Sequence, residues 1–448
     1  MSTNKLNVDT LVVGGGIAGM QTALDLGDQG YQVALVERQS SIGGKMIDLS
    51  KVFPTLDCCS CITTPKMSAT AHHDNIHLMT YSEIESITRN GDEFTVQVLK
   101  KPRYVREDDC TGCRSCELVC PLELSDHEHE FGRTAHRVIY VPFSTAVPQK
   151  AVVDIDHCLF CGKCMQACPS DAIDFTQKPE PIEIETRSIV LATGYETTPL
   201  NAKKEYGAGN LRNVISGMMM ERLLAPTGPY GRVLRPSDGK LPGSIAYVQC
   251  AGSRDQTLGV PYCSRVCCMY AIKQAMLLSG ALPLADITIY YMDIRSFGKG
   301  YEQFYQNAKA MGIEFLKGKV ARICEDENQN PTVRVEMIDE YGKTRVTERL
   351  HDLVVLSVGI LPGYNPQPMF GVQVGEDGFV QVPDYNVFPA VTSQEGVFVT
   401  GTAAGPMDIV DSIMMAGAAA AAVGAYLESG NGHTSEPQSQ PERSVEYA

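Results

Sequence analysis

Cysteine is the residue type with the clearest chemical potential in this chain, because its 16 copies are concentrated in short groups. Two groups repeat the spacing C-x-x-C-x-x-C-x-x-x-C-P. This spacing is typical of bacterial ferredoxins, in which three thiolates of a run bind one [4Fe–4S] cluster and the fourth binds the other. Structural zinc would use pairs of cysteines and leave half of each run unexplained. We therefore expect two clusters, one on Cys110, Cys113, Cys116 and Cys168, and one on Cys158, Cys161, Cys164 and Cys120.

A third group joins Cys250 to Cys263, Cys267 and Cys268. The residues before Cys250 predict a strand, and those after Cys263 predict a helix that runs through Leu278. Thiolates from a strand end and a helix start can converge, and the helix dipole favours their anionic form. The spacing thus favours a third [4Fe–4S] site, with packed free thiols as the alternative. Cys324 stands alone and is expected to be a small buried apolar residue.

Glycines follow the first predicted strand at positions that suit a dinucleotide. Val8 to Val13 predicts a buried strand, residues 17–29 predict a helix, and Gln32 to Val36 predicts a second strand. Within this unit the first glycine allows a tight turn, the second lets the backbone approach a pyrophosphate, and the third lets helix and strand pack closely. The acid after the second strand can bind a ribose. A tight turn that binds nothing is the alternative.

A second glycine pair near residue 43 is similar to the pair that lies against the diphosphate in two-domain flavoproteins, which favours FAD over NAD. The Ala-Thr-Gly turn at residues 192–194 is similar to the turn beneath the adenine side of FAD. Such flavoproteins usually have Gly-Asp where this chain has Gly401-Thr402. The predicted cofactor-binding residues are Gly14, Gly16, Ala18, Gly19, Glu37, Arg38, Gly43, Gly44, Lys45, Ala192, Thr193, Gly194, Gly401, Thr402, Asp408 and Ile409.

Two further groups are candidates for catalysis. Cys58, Cys59 and Cys61 are too closely spaced to hold a whole cluster, so we expect a redox-active thiol site near the flavin. A partial cluster, a polysulfide-handling site and thiols buried in a turn are the alternatives. Arg295 and Lys299 could stabilise an anionic flavin or dock a partner, and a salt-bridged surface loop is equally open. Residues 126–130 (Asp-His-Glu-His-Glu) are expected to be a solvated loop, with metal binding as the alternative.

The composition is that of a globular protein, with 448 residues and a net charge of −15. This charge argues against nucleic acid or an anionic membrane as the main partner. The longest apolar run, Ile409 to Leu427, contains Asp411 and many alanines, so no direct membrane span is expected. No signal peptide is apparent, which leads us to expect a cytoplasmic protein in which disulfides are a poor explanation for the cysteines.

The order of these motifs predicts an α/β protein with an insertion. The FAD-binding domain is expected at residues 1–100, 179–240 and 351–428, with the strand Leu353 to Val358 returning the chain to it. An inserted 2[4Fe–4S] ferredoxin domain is expected at 101–178, a degenerate NAD(P)-type domain that carries the third cluster site at 241–350, and a disordered tail at 429–448. Cys250, Arg254 and Asp255 occupy the glycine turn of the second nucleotide unit, so NAD(P)H binding in the usual mode is expected to be lost.

The chain resembles the A subunit of the heterodisulfide reductases of methanogens and its shorter relatives in sulfur-oxidising and sulfate-reducing bacteria. The resemblance is carried by residues 53–67, the paired ferredoxin runs, and residues 235–239, 250–255, 262–270 and 293–302. It implies a thioredoxin-reductase-like flavoprotein in which Cys250, Cys263, Cys267 and Cys268 bind a cluster near FAD. It also implies partners similar to the B and C subunits of these enzymes, or quinone-linked membrane subunits, and a homodimer within a larger complex.

These expectations combine into an oxidoreductase subunit that passes electrons between FAD, [4Fe–4S] clusters and partner subunits in sulfur or disulfide metabolism. A flavin accepts two electrons together and clusters carry one each, so the combination converts between the two modes. Two alternatives stay open. One is an NAD(P)H-dependent flavin oxidoreductase, and the other is a scaffold subunit whose clusters are structural.

Overall fold

The fold is described from a computed structural model that covers residues 4–338 and 343–429. Apart from Ser429, the predicted tail lies outside the described residues. The strands are, in chain order, β1 (Asn4–Val13), β2 (Val33–Val36), β3 (Ile76–Met79), β4 (Ser82–Asn90), β5 (Glu93–Lys100), β6 (Glu123–Ser125), β7 (Ala135–Arg137), β8 (Ile139–Tyr140), β9 (Val152–Val153), β10 (Glu180–Leu191), β11 (Tyr195–Thr197), β12 (Val214–Ser216), β13 (Ser244–Ala251), β14 (Asp286–Tyr291), β15 (Glu314–Glu325), β16 (Pro331–Ile338), β17 (Thr344–Leu350), β18 (Leu353–Val358), β19 (Ile360–Pro362) and β20 (Val397–Val399).

The helices alternate with the strands of the two large sheets, as a doubly wound fold requires. They are α1 (Ile17–Asp28), α2 (Cys59–Ala71), α3 (Ser115–Val119), α4 (Lys163–Ala167), α5 (Gly217–Leu224), α6 (Cys267–Ala281), α7 (Tyr301–Ala310), α8 (Gln367–Phe370) and α9 (Ile409–Glu428).

The first sheet has the order β3-β2-β1-β10-β5-β4, and β20 pairs with the end of β10. Strands β1, β2, β3, β10 and β20 are parallel, so their carboxyl ends meet at one edge, which is where such sheets bind ligands. The glycine turn after β1 and the turn after β10 lie at this edge. The sequence-predicted nucleotide unit is therefore formed as expected.

The ferredoxin insertion leaves and re-enters the first sheet at one point. Lys100 at the end of β5 is paired with Glu180 at the start of β10. Because these two residues are neighbours across an antiparallel ladder, the intervening domain adds no strand to the sheet. Its own core is a small cluster of apolar side chains with cysteines packed around it, Cys116 among them.

The second sheet has the order β12-β18-β13-β14-β15-β16-β17. The prediction that Leu353–Val358 returns to the first domain is wrong, because this strand pairs in parallel with both β12 and β13. A fully buried apolar strand suits either parallel sheet, so its composition cannot identify the sheet. The second domain therefore extends beyond the predicted limits of 241 and 350, and the three predicted antiparallel strands continue its main sheet through β15.

Helix α9 packs against α1 and the first sheet. Ala416, Ala419, Ala420 and Val423 are buried there, and small alanines let the two helices approach closely. Among the described residues α9 is the one helix long and apolar enough to cross a membrane by length and composition, with 39% of its apolar window buried. In this structure its inner face forms part of the core of the first domain.

Candidate functional site

A cavity of about 550 Å³ lies at the carboxyl edge of the first sheet and continues to the second domain. Its size suits a cofactor, since ligand pockets usually fall between about 300 and 1,000 Å³. Most of the predicted cofactor-binding residues line it, whereas Gly19, Gly43 and Gly401 do not. The lining members of that set are Gly14, Gly16, Ala18, Glu37, Arg38, Gly44, Lys45, Ala192, Thr193, Gly194, Thr402, Asp408 and Ile409.

The predicted cofactor-binding glycines divide into those that pack chain segments together and two, Gly16 and Gly194, that leave room for a ligand. A Cβ on Gly14 or Gly19 would overlap backbone atoms of Ala192 or Gly14 respectively. A Cβ on Gly401 would lie 2.6 Å from the Cβ of Ala18, so Gly401 permits the contact between α1 and the last flavin segment. A Cβ on Gly16 would meet nothing within 4 Å. This open position faces the cavity and suits a phosphate at the start of α1.

Two polar residues test whether the cavity fits a nucleotide cofactor. Thr400 lines the cavity, is fully buried, and its Oγ1 has no hydrogen-bond partner within the described chain. An unpaired buried hydroxyl is costly, so a cofactor atom that bonds to it is favoured. Glu37 accepts hydrogen bonds from the N–H of Gly15 (2.6 Å) and Gln39 (2.8 Å), and burial raises the pKa of its carboxyl group. Its oxygens retain lone pairs for a ribose.

Asp408 also makes contacts within the protein. Its carboxylate accepts a hydrogen bond from the N–H of Asp411 (2.9 Å) and thereby caps α9, and it also accepts one from the hydroxyl of Tyr301 (2.6 Å). Arg38 and Lys45 both face the Glu196 carboxylate, at 3.7 and 3.3 Å. These contacts fix the polar side chains of the cavity wall. Ile409 contributes an apolar part of the lining.

A buried ion pair that no local sequence pattern reveals forms part of the cavity wall. Lys273 on α6 and Glu221 on α5 are each 2% exposed and bonded to one another, and the ammonium also donates to the Lys51 carbonyl (2.8 Å). Glu221 accepts further bonds from the Ser50 N–H (3.0 Å) and hydroxyl (2.6 Å) and from the Gln274 amide (2.5 Å). In the sequence, the sign of this buried polar site is that Lys273 and Gln274 stand together within an otherwise apolar helix.

The acidic and histidine-rich segment of the ferredoxin insertion also reaches the cavity. The expectation of a solvated loop holds for His127 and Glu128, which are exposed, but not for His129, which lines the cavity with its Nδ1 2.9 Å from the Asp48 carboxylate. Burial lowers the pKa of His129, but the Asp48 carboxylate outweighs burial and the net pKa is raised. Next to it, Glu130 forms a buried ion pair with Arg222 at 2.6 Å. The insertion is thereby fastened against both nucleotide-type domains.

The eight ferredoxin cysteines gather into two sets around two small cavities. One cavity is lined by Cys110, Cys113, Cys116 and Cys168, and the other by Cys120, Cys158, Cys161 and Cys164. These are the two sets that crossed ligation requires. Burial raises the pKa of Cys116 to about 12, so this thiol needs a bound metal to become anionic near neutral pH.

The third group of cysteines converges within the second domain. Cys250, Cys263, Cys267 and Cys268 line one small cavity together with Arg254, Arg265 and Arg295. Burial raises the pKa of Cys268 to about 12. Within the described residues no three metal-binding side chains lie as close as a single ion requires. The thiols instead surround a shared cavity that Asp293 also lines. Its arginines are paired with carboxylates, Arg254 and Arg295 with Asp293 and Arg265 with Asp411.

The closely spaced thiols Cys58, Cys59 and Cys61 lie at the start of α2, and none of them lines the flavin-sized cavity. Cys59 packs against Met46 and Val52, which do line it, and burial raises its pKa to about 12. Hydrogen bonds from the backbone N–H and the thiol of Cys61 lower the pKa of Cys58. Cys59 is therefore one layer of residues behind the cavity wall, whereas Cys61 is exposed to solvent.

Two other predictions need correction. Lys299 is exposed and does not line the flavin-sized cavity, so partner docking and a surface loop both stay open for it. Arg295 lies beside the third group of cysteines and pairs with Asp293 at 3.6 Å. Cys324, expected to be buried, is exposed on β15. This region of β15 pairs with β16 in the antiparallel extension of the sheet, where one face is open to solvent.

Comparison with family models and solved structures agrees with this architecture. Residues 109–173 match a 4Fe-4S dicluster domain, and residues 9–46 match the family "FAD dependent oxidoreductase". Thioredoxin reductase from Lactococcus lactis is 14% identical with a TM-score of 0.52, and covers 94% of this chain and 99% of that one. The T. acidophilum enzyme is 15% identical with a TM-score of 0.50 over the same shares. These likenesses show the two-domain fold. Together with the family matches, they make this chain an FAD and [4Fe–4S] protein.

Curated relatives are much more similar in sequence. The A subunit of the H(2):CoB-CoM heterodisulfide,ferredoxin reductase of Methanothermobacter thermautotrophicus is 44% identical over 428 residues. The iron-sulfur A subunit of the CoB--CoM heterodisulfide reductase of Methanocaldococcus jannaschii is 45% identical over the same length. Each match covers 94% of this chain and 64% of the relative, so the chain spans less than two thirds of these proteins. The chain is similar over 94% of its length to the A subunits of heterodisulfide reductases.

Proposed function

We propose that this protein is an electron-transfer subunit that passes electrons between FAD, its [4Fe–4S] clusters and partner subunits of a heterodisulfide-reductase-like complex. The observation that carries the proposal is that both cysteine-rich regions contribute residues to the flavin-sized cavity. Val266 and Tyr270 line it from the helix that begins with Cys267 and Cys268, and His129 lines it from the ferredoxin insertion. Both regions are therefore held against one cofactor site.

Bound FAD would supply a carrier of two electrons, and clusters would supply carriers of one. The residues of this chain provide the electrostatic environment. Lys273 places a buried cation in the cavity wall, and Asp48 holds a cation-forming imidazole there. Three arginines face the third thiol site. Each of these cations has a carboxylate partner, so the pairs fix oriented charges beside both places with most of the positive charge balanced.

The ligand assignments belong to the same proposal. The two ferredoxin clusters would be held by the crossed sets, and a third by Cys250, Cys263, Cys267 and Cys268. Cys58 and Cys61 would form a redox-active dithiol at the start of α2, consistent with their mutual hydrogen bond. Cys59 is the unreactive, buried member of that triad. Sulfur or disulfide metabolism is the setting that this chemistry suits, and the cytoplasm is the compartment in which these thiols stay reduced.

Partner subunits similar to the B and C subunits, or quinone-linked membrane subunits, would dock to the ferredoxin insertion, with this chain as a homodimer. The insertion exposes large apolar side chains next to cluster cysteines: Leu118 (84% exposed), Leu159 (65%) and Phe160 (61%). Exposed apolar side chains this close to redox centres are suited to an electron-transfer partner that carries its own cluster. Burial there would also shield the clusters from solvent.

The test compares Cys267→Ser with Cys324→Ser in protein prepared without oxygen. The first variant should lose about one third of the iron and acid-labile sulfide, as expected if one of three clusters is lost, and the second should lose none. Reductive titration of the unchanged protein should then reduce both flavin and clusters. Clusters that never change redox state would support the scaffold alternative. Rapid flavin bleaching by NADH alone would support the NAD(P)H-dependent alternative.

A further inference from the structure

A second cavity, of about 480 Å³, lies in the second domain, at the carboxyl ends of β13 and β14 and beside β15. This is the position at which parallel nucleotide-binding sheets hold ligands. The cavity adjoins the third thiol site, since Cys250, Ser253 and Arg254 line both. It is separate from the flavin-sized cavity, with which it shares no lining residue.

The wall of this cavity contains a buried amide without a partner. Gln249 is 6% exposed, and neither its Nε2 nor its Oε1 forms a hydrogen bond with any residue that the structure describes. A buried amide with a free donor and a free acceptor is costly. A glutamine in this state can bond through both atoms to the edge of a base, and adenine presents the complementary donor and acceptor.

The charged residues of the wall favour an anion. Lys203, Arg254 and Lys319 line the cavity against a single carboxylate, Asp255. Asp255 is paired with Lys203 at 2.6 Å, and Arg254 is bonded to Asp293. Lys319 is exposed and forms no ion pair within residues 4–338 and 343–429. It is therefore the cation most available for a phosphate group.

A full dinucleotide does not suit the site. The usual pyrophosphate seat is the glycine turn and the start of the following helix. Here Cys250 occupies the turn, and Cys267 and Cys268 begin the helix, and all three face the thiol cavity. What remains open is space for one nucleotide unit between Gln249 and Lys319.

We propose that this cavity binds an adenine mononucleotide, such as AMP or ADP, with Gln249 on the base and Lys319 on the phosphate. Tyr290 and Tyr291 add aromatic lining to the same wall. The site goes beyond the proposed electron-transfer function and does not depend on it.

The test is equilibrium dialysis of the intact, anaerobically prepared protein against AMP, with GMP and NADH measured in parallel. AMP should bind with a stoichiometry of one. Gln249→Leu and Lys319→Ala should each weaken AMP binding roughly tenfold. Lys317→Ala is the matched control, because Lys317 is an exposed lysine on the same strand that does not line the cavity. The iron content of each variant is measured to confirm that it has folded.

Absence of AMP binding at millimolar concentration would overturn the proposal, and so would AMP binding that both variants leave unchanged. GMP binding equal to that of AMP would remove the assigned role of Gln249. NADH binding tighter than AMP, with bleaching of the flavin, would show a dinucleotide site instead. Loss of AMP affinity only in the Gln249 and Lys319 variants would support the proposal, whatever the electron-transfer assays show.

Discussion

Lys273 and Glu221 form an ion pair in the wall of the flavin-sized cavity, although they are 52 positions apart in the chain. Each is 2% exposed, and backbone and side-chain groups satisfy the remaining bonding positions of both. Such a pair is costly to desolvate and costly to break, so it is weak evidence for stability but good evidence for a place where charge is needed. Because the pair lies in the wall of the cavity proposed for FAD, its charges act on the cofactor site.

Lys273→Met should destabilise the protein by about 3–5 kcal/mol, because it leaves the Glu221 carboxylate buried without its cation. Urea denaturation followed by circular dichroism measures this change. The double variant Lys273→Met/Glu221→Gln should recover at least half of the loss, since no lone charge stays buried. Lys5→Met, which breaks an exposed pair with Glu185, should leave the midpoint nearly unchanged. Equal destabilisation in the single and double variants would contradict this account.

Asp48→Asn should lower stability in a pH-dependent way. The pKa of His129 is raised in the folded protein, so its contribution is complete below the ordinary histidine pKa of about 6.5 and is lost as pH rises through the folded value. The melting temperature of the variant should therefore fall furthest below that of the unchanged protein near pH 6, and the gap should narrow towards pH 9.

The matched control for this prediction is the exposed pair of His157 and Asp154, whose atoms are also 2.9 Å apart. Asp154→Asn should change the melting temperature little at any pH, because solvent screens exposed pairs. A gap for Asp48→Asn that widens as pH rises would show that Asp48 does not act through the His129 imidazolium.

Gly401→Ala should reduce FAD content, because its Cβ would collide with Ala18 and because Gly401 has φ +61°. The left-handed backbone alone costs roughly 1–2 kcal/mol. Gly91→Ala isolates that cost, since Gly91 has φ +65° and open space around it in the β4–β5 turn. Adding Ala18→Gly should restore flavin binding to Gly401→Ala. Flavin absorbance relative to protein concentration measures the FAD content of all three variants. If the double variant does not regain FAD, the packing role of Gly401 is refuted.

Cys58 should react with iodoacetamide faster than Cys59 at pH 7.5. Hydrogen bonds from Cys61 lower the pKa of Cys58, whereas burial raises that of Cys59 to about 12, and the thiolate is the reactive form. Timed alkylation and peptide mass spectrometry measure both rates. Cys61→Ala should slow the reaction of Cys58. Comparable labelling of Cys58 and Cys59 would argue against a dithiol at the start of α2.

Phe160→Asp should weaken binding of the proposed cluster-carrying partner subunit, without changing iron content. The aromatic ring is 61% exposed next to Cys158 and Cys161, so a charge there disrupts an apolar interface but not the fold. Leu284→Asp is the control, since Leu284 is 97% exposed in the second domain. Co-purification and size-exclusion chromatography of the co-expressed proteins measure the effect, and equal loss in both variants would rule out a specific surface.

Local sequence patterns are sufficient for the cysteine clusters and the first nucleotide turn. The two ferredoxin runs already define which cysteines share a cavity, because the spacing between neighbours in a short segment restricts how their side chains converge. The glycines after β1 are equally informative, since a tight turn and a close approach between helix and strand need glycine in any fold of this type. The third group of cysteines converges for the related reason that a strand end and the next helix start are neighbours.

Tertiary structure alone decided the rest. The strand Leu353–Val358 is apolar throughout and could have joined either sheet, so its place beside β13 depended on long-range pairing. Lys273, Glu221, His129 and Asp48 meet in one cavity wall although they come from distant segments, and no local spacing records such an encounter. The spacing of residues within a short segment determines local geometry. Which polar groups from distant segments come into contact depends on how the domains pack.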